Sequence, residues 1–111
     1  MSVRERVRSI QKQLRDGALT PDMARESLIQ LTALMGNVHD EQRQADHDYK
    51  LVLLTAMRAE GKANRAKMVA ETSQQYDRAR EAKDTAALVI EMIRSCKVYL
   101  KSLDAEMGLT R

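Results

Sequence analysis

The sequence predicts an all-α fold: an antiparallel long helical hairpin, coiled-coil-like, with a short N-terminal helical hairpin, about four helices in total. Three observations lead there. The four glycines, Gly17, Gly36, Gly61 and Gly108, each follow a run of helix-favouring residues, and the single proline, Pro21, follows a threonine able to cap a helix start. Glycine suits the left-handed position past a helix C-terminus, and proline suits the first turn. Between these marks apolar residues recur at spacings of three and four, the period of one helix face. There is no Trp or Phe and there are three Tyr, so the core is built from Leu, Ile, Val, Met and Ala along narrow helix seams.

The punctuation divides the chain into helices over about 2–16, 21–35, 38–60 and 62–107. Helix one opens on Ser2 with Glu5 three residues later, a capping-box pattern. Val3, Val7, Ile10 and Leu14 form its seam, and Gly17 ends it. Thr20-Pro21-Asp22 restarts the helix with a cap hydroxyl, a preset φ and a carboxylate at the positive helix end. Ala24, Leu28, Leu31 and Met35 line helix two, which Gly36 is expected to close. The short connection makes these two helices antiparallel neighbours, the hairpin of residues 1–36.

Helix three is expected to start near Asn37 or Asp40, with Ala45, Tyr49, Val52, Ala56 and Ala59 as its seam. Leu51-Val52-Leu53-Leu54 is apolar on all sides, which calls for more than one covering partner. Gly61 then reverses the chain, so that 37–107 forms the long hairpin of a single domain over 1–111. From Lys62 to Met107 there is neither Gly nor Pro, and Asp84-Thr85 is the weakest point of this stretch. Its first part carries a thin stripe of Ala66, Val69, Ser73, Tyr76 and Ala79; its second carries Val89, Ile93, Cys96, Leu100, Leu103 and Met107. A fold back at Gly61 sets Asp40, Glu41, Asp46 and Asp48 opposite Arg78, Arg80 and Lys83, and brings Tyr49 near Tyr76.

Composition excludes several classes. Charged residues are 32 % of the chain with both signs interleaved, as on solvated helix faces. The longest strongly apolar run, Ala86 to Ile90, is far short of the roughly 20 residues that cross a bilayer. A charged start from Arg4 offers no secretory apolar region, and the lone Cys96 excludes an internal disulfide. The expected location is therefore the cytoplasm. The net charge of +3 is concentrated on residues 1–16, where Arg4, Arg6, Arg8, Lys12 and Arg15 face only Glu5 and Asp16.

Each candidate site has a plainer alternative. His39-Asp40 and His47-Asp48 invite a metal or HD-type phosphohydrolase reading, but Arg43 stands between the histidines where an i+4 ligand belongs. A solvated acidic face fits them better. Cys96 lies on an apolar seam without a neighbouring base, which makes it core. The methionines suit core filling. Basic stripes carry more weight: Arg4, Arg8, Lys12 and Arg15 on helix one; Arg58, Lys62, Arg65 and Lys67 around Gly61; and Arg94, Lys97 and Lys101 on helix four. Such stripes follow phosphates without reading bases. The absence of interleaved aromatics argues against base stacking.

Tyr49, Ala59-Glu60-Gly61, Arg65, Tyr76, Ala79, Lys83, Ile93-Arg94-Ser95, Lys97 and Leu100 form a pattern over about 45–105. In it the chain resembles a group of small, uncharacterised helical proteins of temperate-phage recombination and replication gene clusters. The resemblance implies a phage or prophage context beside DNA-handling enzymes, and so a host-cell cytoplasm; it transfers no catalytic residues. The expectation is a non-enzymatic accessory protein of DNA metabolism, without cofactor or metal. It contacts nucleic-acid backbone through Arg4, Arg8, Lys12, Arg58, Lys62, Arg65 and Lys67, and self-associates through the long helix. The alternative is a helical adaptor or inhibitor gripping a host or phage protein.

Overall fold

The computed structural model describes residues 2–17 and 19–109, with side chains to residue 106. It is all-α: α1 (Val3–Asp16), α2 (Pro21–Glu60), α3 (Ala63–Ala70) and α4 (Gln74–Leu109). α2 and α4 form the dominant long-range pairing, and α1 with the start of α2 forms the N-terminal hairpin.

Local chemistry explains most of the ends. The Ser2 hydroxyl accepts the backbone N–H of Glu5 at 3.1 Å, capping α1. The Thr20 hydroxyl does the same for Met23 at 3.1 Å, with Pro21 in the first turn of α2. Gly17 closes α1 in an extended conformation, φ −90°, its N–H reaching the Gln13 carbonyl at 3.1 Å. Among the described residues Gly61 alone is left-handed, with φ 70°, the expected glycine stop at the end of α2.

Three expectations about boundaries are corrected. Gly36 does not end a helix; α2 runs through it unbroken. Glycine in a helix interior costs about 1 kcal/mol against alanine. Leu31, Leu34 and Val38 continue the buried seam across the position, with exposures of 0, 8 and 1 %. Burying one such side chain contributes about 1.5–3 kcal/mol, so the seam outweighs the glycine. The second correction is that the returning arm is two helices, broken at 71–73 and not at Asp84. The Ser73 hydroxyl accepts the N–H of Tyr76 at 3.2 Å and donates to the Ala70 carbonyl at 2.5 Å, while the Thr72 hydroxyl donates to the Val69 carbonyl at 2.7 Å. These hydroxyls satisfy backbone groups that a continuous helix would have paired. Thr85 instead donates back to the Glu81 carbonyl at 2.8 Å and stays within α4. Third, α4 continues through Gly108 to Leu109. The Met107 side chain, expected on the seam, lies outside the described residues.

The chain packs as two compact units. The first joins Met1–Asn37 with Ala87–Arg111. Its core holds Val7 and Ile10 of α1, Ala24, Leu31 and Leu34 of α2, and Val89, Met92 and Cys96 of α4. The Tyr99 hydroxyl donates to the Leu19 carbonyl at 3.0 Å, tying α4 to the turn before α2. The second unit is Val38–Ala86. Val38, Ala56, Ala66, Ala70 and Ala86 are buried in it, small residues that let helix backbones approach closely. Tyr49 and Tyr76 meet there with ring centroids 5.4 Å apart and planes tilted by 48°.

That ring pair sits in the register a fold at Gly61 requires. Of the charges set opposite one another by the same fold, Asp40, Asp48 and Arg80 settle locally instead. Asp40 binds Arg43 three residues on at 2.9 Å, Asp48 accepts from Gln44 at 3.0 Å, and the Arg80 guanidinium lies 5.7 Å from the Tyr76 ring centroid. Short-range partners on the same helix cost less side-chain ordering than a bridge across the hairpin.

Candidate nucleic-acid interface

The turn at Gly61 brings four cations into one stretch of the second unit. Arg58 stands in the last turn of α2, Lys62 occupies the cap position before α3, and Arg65 and Lys67 lie on α3. All four are exposed. None has an ion-pair partner among the described residues, and Glu60 is the one acid in their midst. The backbone favours anions here as well. No side chain caps the start of α3 and no acid stands in its first turn, so its leading N–H groups and the helix dipole add to the positive potential.

The helix-one stripe lies in the first unit. Arg8 and Lys12 are exposed and Arg4 is half-buried, one turn apart along α1. Arg8 hydrogen-bonds Gln11 at 3.2 Å, and Arg15 is bound to Asp16 at 3.1 Å. On α4, Arg94 pairs with Glu91 at 2.8 Å while Lys97 and Lys101 are exposed. The expected contact residues thus fall into two sets, Arg4, Arg8 and Lys12 in the first unit and Arg58, Lys62, Arg65 and Lys67 in the second.

A groove of about 990 Å³ runs between α1 and the start of α2 within the first unit. Ile10, Met23, Ser27 and Leu34 line it together with Arg6, Asp16, Asp22 and Glu26. Its carboxylates are engaged on their own helices: Asp16 by Arg15 and Asp22 by Arg25, both at 3.1 Å, and Glu26 by Gln30 at 3.3 Å. The spacing of α1 and α2 residues does not reveal this groove, because only their crossing creates it.

His39 and His47 are exposed on α2, and among the described residues no group of three or more His, Cys, Asp or Glu side chains could hold a metal ion. Cys96 is buried at 3 % exposure, and burial pushes its thiol pKa up. Burial also raises the Tyr49 pKa, followed by the charges of Glu71 and Tyr76. Among the described residues no helix is long and apolar enough to cross a membrane. Comparison of the chain with family models, curated proteins and solved structures finds no match in any of the three.

Proposed function

We propose that this protein is a non-enzymatic accessory factor of phage or prophage DNA metabolism, holding nucleic-acid backbone through basic helix faces. The observation that carries the reading is the set of exposed, unpaired cations Arg58, Lys62, Arg65 and Lys67 around the left-handed Gly61, beside an uncapped helix start. Phosphate oxygens are the chemistry that such a set recognises, through charge and backbone N–H donors together. Arg4, Arg8 and Lys12 supply a second basic stripe on α1. No aromatic side chain stands among these cations, so binding is expected to be insensitive to sequence.

Mobility shifts on single- and double-stranded DNA across a salt series test the proposal. Affinity should fall linearly on logarithmic axes as salt rises, and Lys62→Glu with Arg65→Glu should weaken it for every sequence alike. No shift at low salt overturns it. A second reading, a helical adaptor for a host or phage protein, draws on large apolar side chains left exposed, including Ile29 at 69 % and Val98 at 59 %. A protein partner released by Ile29→Glu or Val98→Glu, with no DNA shift, would favour that reading.

A further inference from the structure

The groove between α1 and the start of α2 holds a buried hydroxyl with nothing to bond. Ser27 lines it at 3 % exposure, and its side chain has no hydrogen-bond partner among the described residues. Thr32 and Thr55 on the same helix satisfy themselves by donating to the Leu28 and Leu51 carbonyls; Ser27 does not. No fully enclosed side-chain nitrogen or oxygen among the described residues is left without a partner, so the Ser27 hydroxyl opens into the groove. A buried hydroxyl kept from its own helix is a costly group unless something else bonds it.

The space over Ser27 is about 990 Å³ with an apolar floor of Ile10, Met23 and Leu34, the size of a small-ligand site. Its two ends differ in charge. A Cβ at Gly17 would come within 3.2 Å of the Met23 Cε, which fixes the register of the hairpin. Asp16, Asp22 and Glu26 lie toward the turn, and Arg6 lies at the other end beside Leu34. Arg15, Arg25 and Gln30 hold the three carboxylates through one oxygen each, Oδ1, Oδ1 and Oε1. The second oxygen of each has no partner among the described residues. Three acids against Arg15 and Arg25 leave the turn end at −1. Arg6 has no ion-pair partner among the described residues and makes the far end +1. Glu5, Arg8 and Lys12 take other positions of α1 and do not line the groove.

We propose that this groove binds a short apolar peptide with free termini. Its ammonium sits among Asp16, Asp22 and Glu26, its carboxylate meets the Arg6 guanidinium, and its side chains cover the apolar floor. A mid-chain amide bonds the Ser27 hydroxyl, which can both donate and accept. Length fits as well as charge. Arg6 and Asp16 are ten residues apart on one helix, about 15 Å by helical rise, and an extended chain of about four residues spans that distance. The reverse orientation sets carboxylate on carboxylate and ammonium on guanidinium, so the charges also fix the direction. The inference does not rest on the nucleic-acid reading, whose cations lie outside the groove.

Equilibrium dialysis of the full chain against Leu-Ala-Ala-Leu tests it, with alanine–leucine peptides of about two to about six residues beside it and helicity followed by circular dichroism. Affinity should peak near four residues. Arg6→Gln should weaken the free peptide about tenfold and leave the C-terminally amidated peptide unchanged. Asp16→Asn with Glu26→Gln should weaken it similarly and leave the N-acetylated peptide unchanged. Ala33→Trp, at an exposed rim position, should block every peptide. All these positions are exposed, so helicity should not change. No binding by any length at millimolar peptide, equal affinity for free and doubly capped peptides, or indifference to Arg6→Gln would each overturn the proposal.

Discussion

Gly61 and Gly36 occupy opposite backbone states, and alanine at the two positions should move stability in opposite directions. A Cβ at Gly61 would meet nothing within 4 Å, yet its φ of 70° lies where L side chains are strained. Gly61→Ala should therefore destabilise by about 1–2 kcal/mol through the backbone alone. An added methyl at Gly36 would also meet nothing within 4 Å, but this residue is helical, so Gly36→Ala should stabilise by about 0.5–1 kcal/mol. Urea unfolding measures both. Tyr49 gives a pH signature at the same scale. Its folded-state pKa is raised above the ordinary 10.0 by burial, then by Glu71 and Tyr76. The protonated phenol is thus favoured by folding. That contribution is present in full below pH 10 and is lost as pH rises through the folded value. The stability difference between the wild-type chain and Tyr49→Phe should shift in that direction across this range and stay flat below it.

At the scale of the helix, legibility follows whether a signal is local. Ser2 with Glu5, and Thr20 with Pro21, mark starts because a cap hydroxyl and its N–H partner lie within three residues of each other. Gly36 misleads because its penalty is local while the compensation, a seam running on through Val38, is tertiary. Ser73 reads in sequence as a member of the stripe through Val69 and Tyr76, yet a serine hydroxyl can equally cap a helix start. Hydroxyls that bond Val69, Ala70 and Tyr76 show that the cap prevails. Ser73→Ala should cost about 1 kcal/mol and raise amide exchange in the first turn of α4. Leu31→Ala, at a site of 0 % exposure on α2, should cost about 2–5 kcal/mol by leaving a cavity. Chemical denaturation resolves the two magnitudes clearly.

For the whole molecule, charge is partitioned between the units. The first carries the chain's net +3 and the second is neutral. The basic residues are legible individually, since spacing alone puts Arg58, Lys62, Arg65 and Lys67 beside a reversing glycine. Which of them stay unpaired is not legible, because Arg15 and Arg94 close on neighbouring acids while the tip cations, with Glu60 equally near in sequence, form no ion pair among the described residues. The acid–base match across the hairpin overstates the cross-helix pairing for the same reason: i,i+3 partners are nearer. If DNA is the ligand, each lost phosphate contact should flatten the logarithmic salt dependence by about one unit. The Lys62→Glu, Arg65→Glu variant should then lose about two.

One further consequence comes from Cys96, the only thiol of the chain and enclosed by the first unit at 3 % exposure. A disulfide reagent in excess can react with it only when that packing opens, so the colour that develops times the opening. The chain carries its own stopwatch, readable without labels or engineered probes.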